Sequence, residues 1–130
     1  AKGIQVGTRF VVTEESQVHE KYKEAILKAK DIDSKVTGRS TGHPVRGLRN
    51  QMTKEYLKRE AEGASLEELE LLTAGGLRRA VVEGDVTTGS VMAGQSAAMI
   101  REELSCREVI DRLMQEMTAL LKQGAGSNIV

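Results

Sequence analysis

The chain has 130 residues, room for one modest core. Nineteen basic residues offset nineteen acidic ones, so no net charge draws it toward nucleic acid or an anionic membrane surface. Aromatic residues make up 2% and tryptophan is absent, too few rings for a base-stacking platform. The single cysteine, Cys106, excludes an intrachain disulfide and a thiolate metal cluster.

No apolar run approaches the roughly 20 residues that span a bilayer, and no signal-peptide pattern is present. A cytoplasmic protein with no metal site, nucleic-acid partner or membrane span is the expectation. The opening Ala1-Lys-Gly-Ile-Gln-Val6 lacks an initiator methionine and reads as the approach to a strand. A segment of a longer protein is expected.

Ile4 and Val6 fit a short β-branched strand ending at Gly7. Thr8 then opens a helical turn through Val12. A strand running into Gly-Thr and a helix start aims free amides and a positive dipole end at the strand's end, a geometry suited to phosphate. Val18, Tyr22, Ala25, Ile26 and Ala29 recur at helical spacing, predicting an amphipathic helix over about 17–29. His19 lies off that face and receives no role.

Residues 31–50 read as extended. Arms at about Lys35–Thr37 and His43–Arg46 flank a Gly/Ser/Thr turn and predict a β-hairpin, with Pro44 marking its second arm as an edge. His43 beside Pro44 reads as a structural histidine, because no carboxylate or second histidine at suitable spacing makes a dyad. Asn50 is placed to cap the next helix, which carries Met52, Tyr56, Leu57 and Ala61 and stops at Gly63. Ser65 and Glu68 form a capping box ahead of Leu66, Leu69 and Leu72. Arg39, Arg46, Arg49, Lys54, Lys58 and Arg59 precede an acidic block from Glu60 to Glu70. These are either solvated faces joined by local ion pairs or a docking patch for an acidic partner.

The glycine-rich stretch from Ala74 to Ile100 is the organising element. Two glycine turns enclose a short apolar helix, and Ser90 is the predicted N-cap of a second one. The face of that second helix is small: Ala93, Gly94, Ser96, Ala97 and Ala98. Either another helix packs closely on it or a flat ligand approaches it, with Met92 and Gln95 supplying one apolar contact and one amide. The clearest helix follows. Ser105 and Glu108 box its start, Val109, Ile110, Leu113, Met114, Met117, Leu120 and Leu121 form a wide stripe, and Gly124 is placed to stop it. Cys106 in its first turn reads as incidental, and the tail from 125 to 130 as frayed.

Three stretches together carry a resemblance: Gly3-Ile-Gln-Val-Gly-Thr-Arg-Phe10, Thr41-Gly-His-Pro-Val-Arg-Gly-Leu-Arg-Asn50 and Val82-Glu-Gly-Asp-Val-Thr-Thr-Gly-Ser-Val-Met-Ala-Gly-Gln95. The chain resembles the C-terminal part of the flavin-dependent enoyl-acyl-carrier-protein reductases of the nitronate monooxygenase superfamily. The resemblance implies an α/β fold, an FMN-binding TIM barrel with a mainly helical inserted subdomain. This chain would hold the last barrel strand and phosphate turn (1–16), the subdomain (17–73) and the closing helices with a flavin-lining turn (74–124). It would itself be mostly helical.

By the same resemblance, Val6, Gly7 and Thr8 hold the FMN phosphate, and Met92, Ala93, Gly94 and Gln95 line the flavin. NADH is the reductant, and the partners are acyl carrier protein bearing an enoyl thioester and the upstream remainder of the barrel. The family's catalytic histidine falls before Ala1, so no catalytic residue is assigned and the isolated chain is expected to be inactive with little FMN binding. Apolar helix faces left exposed would pair with that remainder or with a second copy in a homodimer. Nitronate oxidation on the same flavin platform and a non-enzymatic helical interaction module are the alternatives.

Overall fold

A computed structural model describes residues 3–126. Among these, six α-helices and one two-stranded sheet run in the order α1 (Thr8–Val11), α2 (Glu20–Leu27), β1 (Ser34–Thr37), β2 (Val45–Leu48), α3 (Gln51–Ala61), α4 (Leu66–Thr73), α5 (Gly76–Glu83) and α6 (Cys106–Gly126), with 3₁₀ turns at Asp31–Asp33 and Gln95–Met99. None of these helices is long and apolar enough to cross a membrane.

Local capping sets most of the boundaries. Asn50 Oδ1 accepts the Thr53 amide at 2.9 Å to start α3. The helix closes on Gly63, whose φ of +83° most side chains avoid. The Ser65–Glu68 and Ser105–Glu108 boxes are both reciprocal. His19, which the periodicity leaves without a role, caps α2: its Nδ1 accepts the Lys21 amide at 3.1 Å.

The hairpin pairs antiparallel in the register Ser34↔Leu48, Lys35↔Gly47, Val36↔Arg46 and Thr37↔Val45. Its second arm begins beyond Pro44, two residues later than the sequence suggests. Against β2 lies an extended segment, residues 90–94, bridged by Gly47↔Met92. The Leu48 amide donates to the Val91 carbonyl at 2.8 Å and the Ala93 amide to the Arg46 carbonyl at 3.3 Å. A Cβ on Gly47 would sit 2.7 Å from the Val91 oxygen, so only glycine admits this approach.

Three expectations are corrected. Residues 3–7 form no strand, and Ile4 is 73% exposed. Among the described residues no neighbouring strand pairs with the segment, and β-branched composition alone does not satisfy its backbone. Ser90 caps no helix. Its amide donates to the Gly76 carbonyl at 2.9 Å, and the residues after it hydrogen-bond to β2 instead of to each other. The helical turn starts four residues later, after Gly94. Gly124 does not stop α6, which runs to Gly126. A helical glycine costs about 1 kcal/mol against alanine, which does not by itself end a long helix. The tail from 127 onward lies outside the described residues.

The core joins Val12, Tyr22, Ile26, Leu48, Ala80, Val91, Ala93 and Ile100. At its edge Lys23 is 4% exposed, its ammonium donating to the Thr13 carbonyl at 2.7 Å and to Glu103 at 2.6 Å. That clamp lies beside a parallel bridge between Thr13 and Leu104. The α6 stripe has only Val109 fully buried, with Ile110, Met114, Met117, Leu120 and Leu121 largely exposed among the described residues.

Gly47→Ala is expected to lower stability by roughly 1–3 kcal/mol through overpacking, read as a drop in the denaturant midpoint. An unchanged midpoint would mean that residues 90–94 do not press on β2. A second prediction concerns pH. The Cys106 amide donates to the Glu15 carboxylate at 2.9 Å and holds its carboxyl below the usual range. The resulting stabilisation is complete above the unfolded carboxylate value and is lost as pH falls through the depressed folded value. Glu15→Gln should therefore flatten the acid limb of the stability profile and leave its alkaline limb unchanged.

Candidate functional site

The first turn of α1 leaves backbone donors unspent. Gly7 contributes its carbonyl to the Phe10 and Val11 amides, while the Gly7, Thr8 and Arg9 amides donate to no described group. Free amides at a helix start suit an anion. The Thr8 hydroxyl faces across the chain and accepts the Gly94 amide at 2.8 Å. Two stretches 86 residues apart in sequence are thereby joined at their backbones.

A cleft of about 830 Å³ opens on this junction, walled by Val6, Gly7, Thr8, Gly94, Ser96 and Met99. Arg9, Arg101 and Arg112 stand around it. The Arg9 guanidinium donates to the Glu102 carbonyl at 2.8 Å. Burial draws its pKa below the ordinary arginine value, opposed by the Glu102 charge. Arg112 is raised by its hydrogen bond to the Glu102 carboxylate. Both remain cationic at neutral pH, and Arg101 lies exposed on the same wall. Glu102 and Glu116 line the same cleft, and the Glu102 carboxylate pairs with Arg112, so Arg9 and Arg101 are left as the cleft's cations outside a salt bridge among the described residues.

The residues singled out by sequence distribute unequally. Val6, Gly7, Thr8 and Gly94 meet in this cleft. Ala93 is 6% exposed, so its methyl belongs to the core and only its backbone is near the site. Gln95 is exposed at the start of the 3₁₀ turn. Met92 turns toward a separate cavity between the hairpin, α3 and α4, and its carbonyl accepts the Tyr22 hydroxyl at 2.7 Å.

His43 is exposed, and its amide donates to the Gly38 carbonyl at 3.0 Å, closing the hairpin turn. Cys106 Sγ lies 3.6 Å from the Thr13 hydroxyl. Among the described residues no group of three His, Cys, Asp or Glu side chains is set to hold a metal ion. The basic stretch is partly neutralised by Arg49–Asp33 at 3.5 Å and Arg59–Glu55 at 2.6 Å. Lys54 and Lys58 line an open groove of about 870 Å³ with Lys28 and form no salt bridge among the described residues.

Sequence reasoning places Tyr22 on the buried face of its helix without its bond to Met92, and misses Lys23; both support the site from behind. Lys23 sits on the buried arc of α2 beside Tyr22 and Ile26, and a cation there is the one local sign that it needs a partner. That partner, Glu103, lies 80 residues away, beyond the reach of any spacing rule.

Thr8→Val removes the acceptor for the Gly94 amide. A cost of about 1–3 kcal/mol is expected, with faster hydrogen exchange at Gly94 and recovery of both in Thr8→Ser. Equal protection of Gly94 in Thr8→Val and wild type would contradict the junction.

The family model for nitronate monooxygenase matches residues 1–116. The structure is similar to that of FabK from Thermotoga maritima, with a TM-score of 0.89 and 41% identity over 97% of this chain and 40% of that one. It is also similar to nitroalkane oxidase from Streptomyces ansochromogenes, with a TM-score of 0.68 and 26% identity over 92% of this chain and 33% of that one. A curated relative from Bacillus subtilis, named "Probable nitronate monooxygenase", is 29% identical over 116 residues, 89% of this chain and 33% of the relative. The chain spans about a third of the length of such curated relatives. With the family model matched over most of its length, the chain belongs to the nitronate monooxygenase family of oxidoreductases.

Proposed function

We propose that this chain forms the phosphate-holding and ring-bordering part of an FMN-dependent reductase, which uses NADH to reduce a trans-2-enoyl thioester carried on acyl carrier protein. The observation that carries this reading is the bond from the Gly94 amide to the Thr8 hydroxyl at 2.8 Å. It sets unpartnered amides suited to a phosphate against an edge that a flat ring can approach. The residues fit the group: the cleft is open, Arg9 and Arg101 stand on its wall, and Gly94 presents no side chain to it.

In this reading the amides of Val6, Gly7 and Thr8 hold the phosphate. Gly94 borders the ring system with Gln95 beside it, while Ala93 and Met92 contribute main chain only, since the Met92 side chain lines the separate cavity. FMN, when bound, supplies reversible hydride chemistry; the protein's part is binding, orientation and exclusion of water. Arg9, next to Thr8, adds positive charge near the phosphate, while the charge of Arg112 is offset by Glu102. The catalytic histidine is expected before Ala1, and His43 is not assigned that role. The exposed α6 stripe is proposed to be covered by the rest of the barrel or a second copy, and the Lys54–Lys58 groove to receive the acidic carrier protein in the cytoplasm. The chain alone should be inactive.

Support for enoyl reduction comes from the 41% identity to FabK, an enoyl-ACP reductase II. Nitronate oxidation is the second reading, favoured by the family model and by the names of the curated relatives.

The test uses the full-length flavoprotein. NADH-dependent reduction of crotonyl thioester is expected to exceed oxidation of an alkyl nitronate at least tenfold in kcat/KM. The reverse ratio would assign nitronate chemistry, and a full-length protein that takes up no FMN would overturn both.

A further inference from the structure

The second cavity, into which Met92 turns, has a volume of about 260 Å³ and lies between β2, α3, α4 and residues 90–92. Val45, Leu66, Leu77 and Met92, half-exposed side chains from four segments, give it apolar walls. Most of its hydroxyls are spent within the protein. Thr37 donates to the Val45 carbonyl, Thr41 to Gly38, Thr53 to Leu48 and Thr73 to Leu69. His43 and Glu70 are exposed, so water serves them.

Two hydroxyls of the lining, on Tyr56 and Ser90, make no hydrogen bond among the described residues. Ser90 is half-buried and within reach of solvent. Tyr56 is different: the residue is only 7% exposed, a depth at which a phenol ordinarily has a protein partner. Among the described residues every side-chain nitrogen or oxygen sealed from water is bonded. The Tyr56 hydroxyl is therefore not sealed, and it opens on the cavity that the residue lines. A ligand entering there displaces the water on that hydroxyl. It gains only if it brings an acceptor of its own, and loses affinity if it puts a methylene in the same place. An apolar pocket with one placed polar group is a device for choosing between such ligands.

We infer that Tyr56 is a specificity-determining residue whose hydroxyl donates to the carbonyl oxygen of the bound thioester, an inference that rests on the enoyl-reductase reading. An enoyl thioester carries one strong acceptor, that oxygen; its sulfur accepts weakly and its carbons not at all. Residues 90–94 run extended, so Met92 on the cavity and Gly94 on the phosphate cleft are about 7 Å apart. A carbonyl held at Tyr56 thus belongs to a group lying close to the ring edge. The contact transfers no proton or hydride. It fixes the carbonyl in place and rejects ligands that lack one.

Calorimetric binding to the full-length FMN-loaded protein tests this with two probes. One is S-butanoyl-N-acetylcysteamine, a saturated thioester; the other is S-butyl-N-acetylcysteamine, in which a methylene replaces the thioester carbonyl. Tyr56→Phe keeps the ring and removes only the hydroxyl. It should weaken thioester binding at least tenfold and leave thioether binding within twofold. Flavin content and denaturant midpoint should not change, because the hydroxyl has no partner in the protein. Equal loss of both probes, or loss of neither, overturns the carbonyl contact while reduction of crotonyl thioester stands. A lowered midpoint overturns it as well, since the hydroxyl would then be bonded within the fold. If the unaltered protein binds no thioester and oxidises nitronate, the enoyl-reductase reading fails and takes this inference with it.

Discussion

The structure depends on how closely residues 90–94 can lie against β2. Gly47 lets the Val91 carbonyl approach to a distance that any side chain would block, and the main chain then runs straight past β2 to Gly94. Only from there can the Gly94 amide reach the Thr8 hydroxyl. A helix over the same residues would satisfy its own backbone and turn Gly94 away from α1. One missing Cβ thus controls whether the two halves of the site meet.

That constraint is reinforced from behind. Tyr22 holds the Met92 carbonyl, and Lys23 ties Thr13 to Glu103, so α2 braces both sides of the junction. Removing the charge on Lys23 would leave the Thr13 carbonyl without this donor and Glu103 without its counter-ion, which is why such a clamp is costly to break. The cleft in front is different in kind. It is open and holds Arg9, Arg101 and the free amides of Gly7 and Thr8, which suit a phosphate, while the Met92 cavity mixes apolar side chains with hydroxyls.

Local signals were legible wherever a boundary is decided by one or two residues. Asn50, Ser65 with Glu68, Ser105 with Glu108 and Gly63 all cap or stop helices as their side chains dictate. The hairpin was legible too, within a residue or two. What failed were elements whose backbone partners lie far away in sequence. Ser90 has a good N-cap side chain, yet its amide goes to Gly76 and the following residues to β2. Ile4 and Val6 have strand composition and no strand beside them among the described residues. Of the site, Gly7, Thr8 and Gly94 could be proposed from chemistry and resemblance, but their meeting could not, because it is set by Gly47. Met92 was singled out as a ring contact, and its place at the mouth of a separate cavity was not visible.

The central claim is that Gly7–Thr8 and the main chain around Gly94 border one bound nucleotide. A crystal structure of the full-length protein with FMN tests it most directly. The account predicts phosphate oxygens within about 3.2 Å of the Gly7 and Thr8 amides, with the ring edge against Gly94. A phosphate held elsewhere, or a flavin on the far side of the extended segment from Gly94, would contradict it.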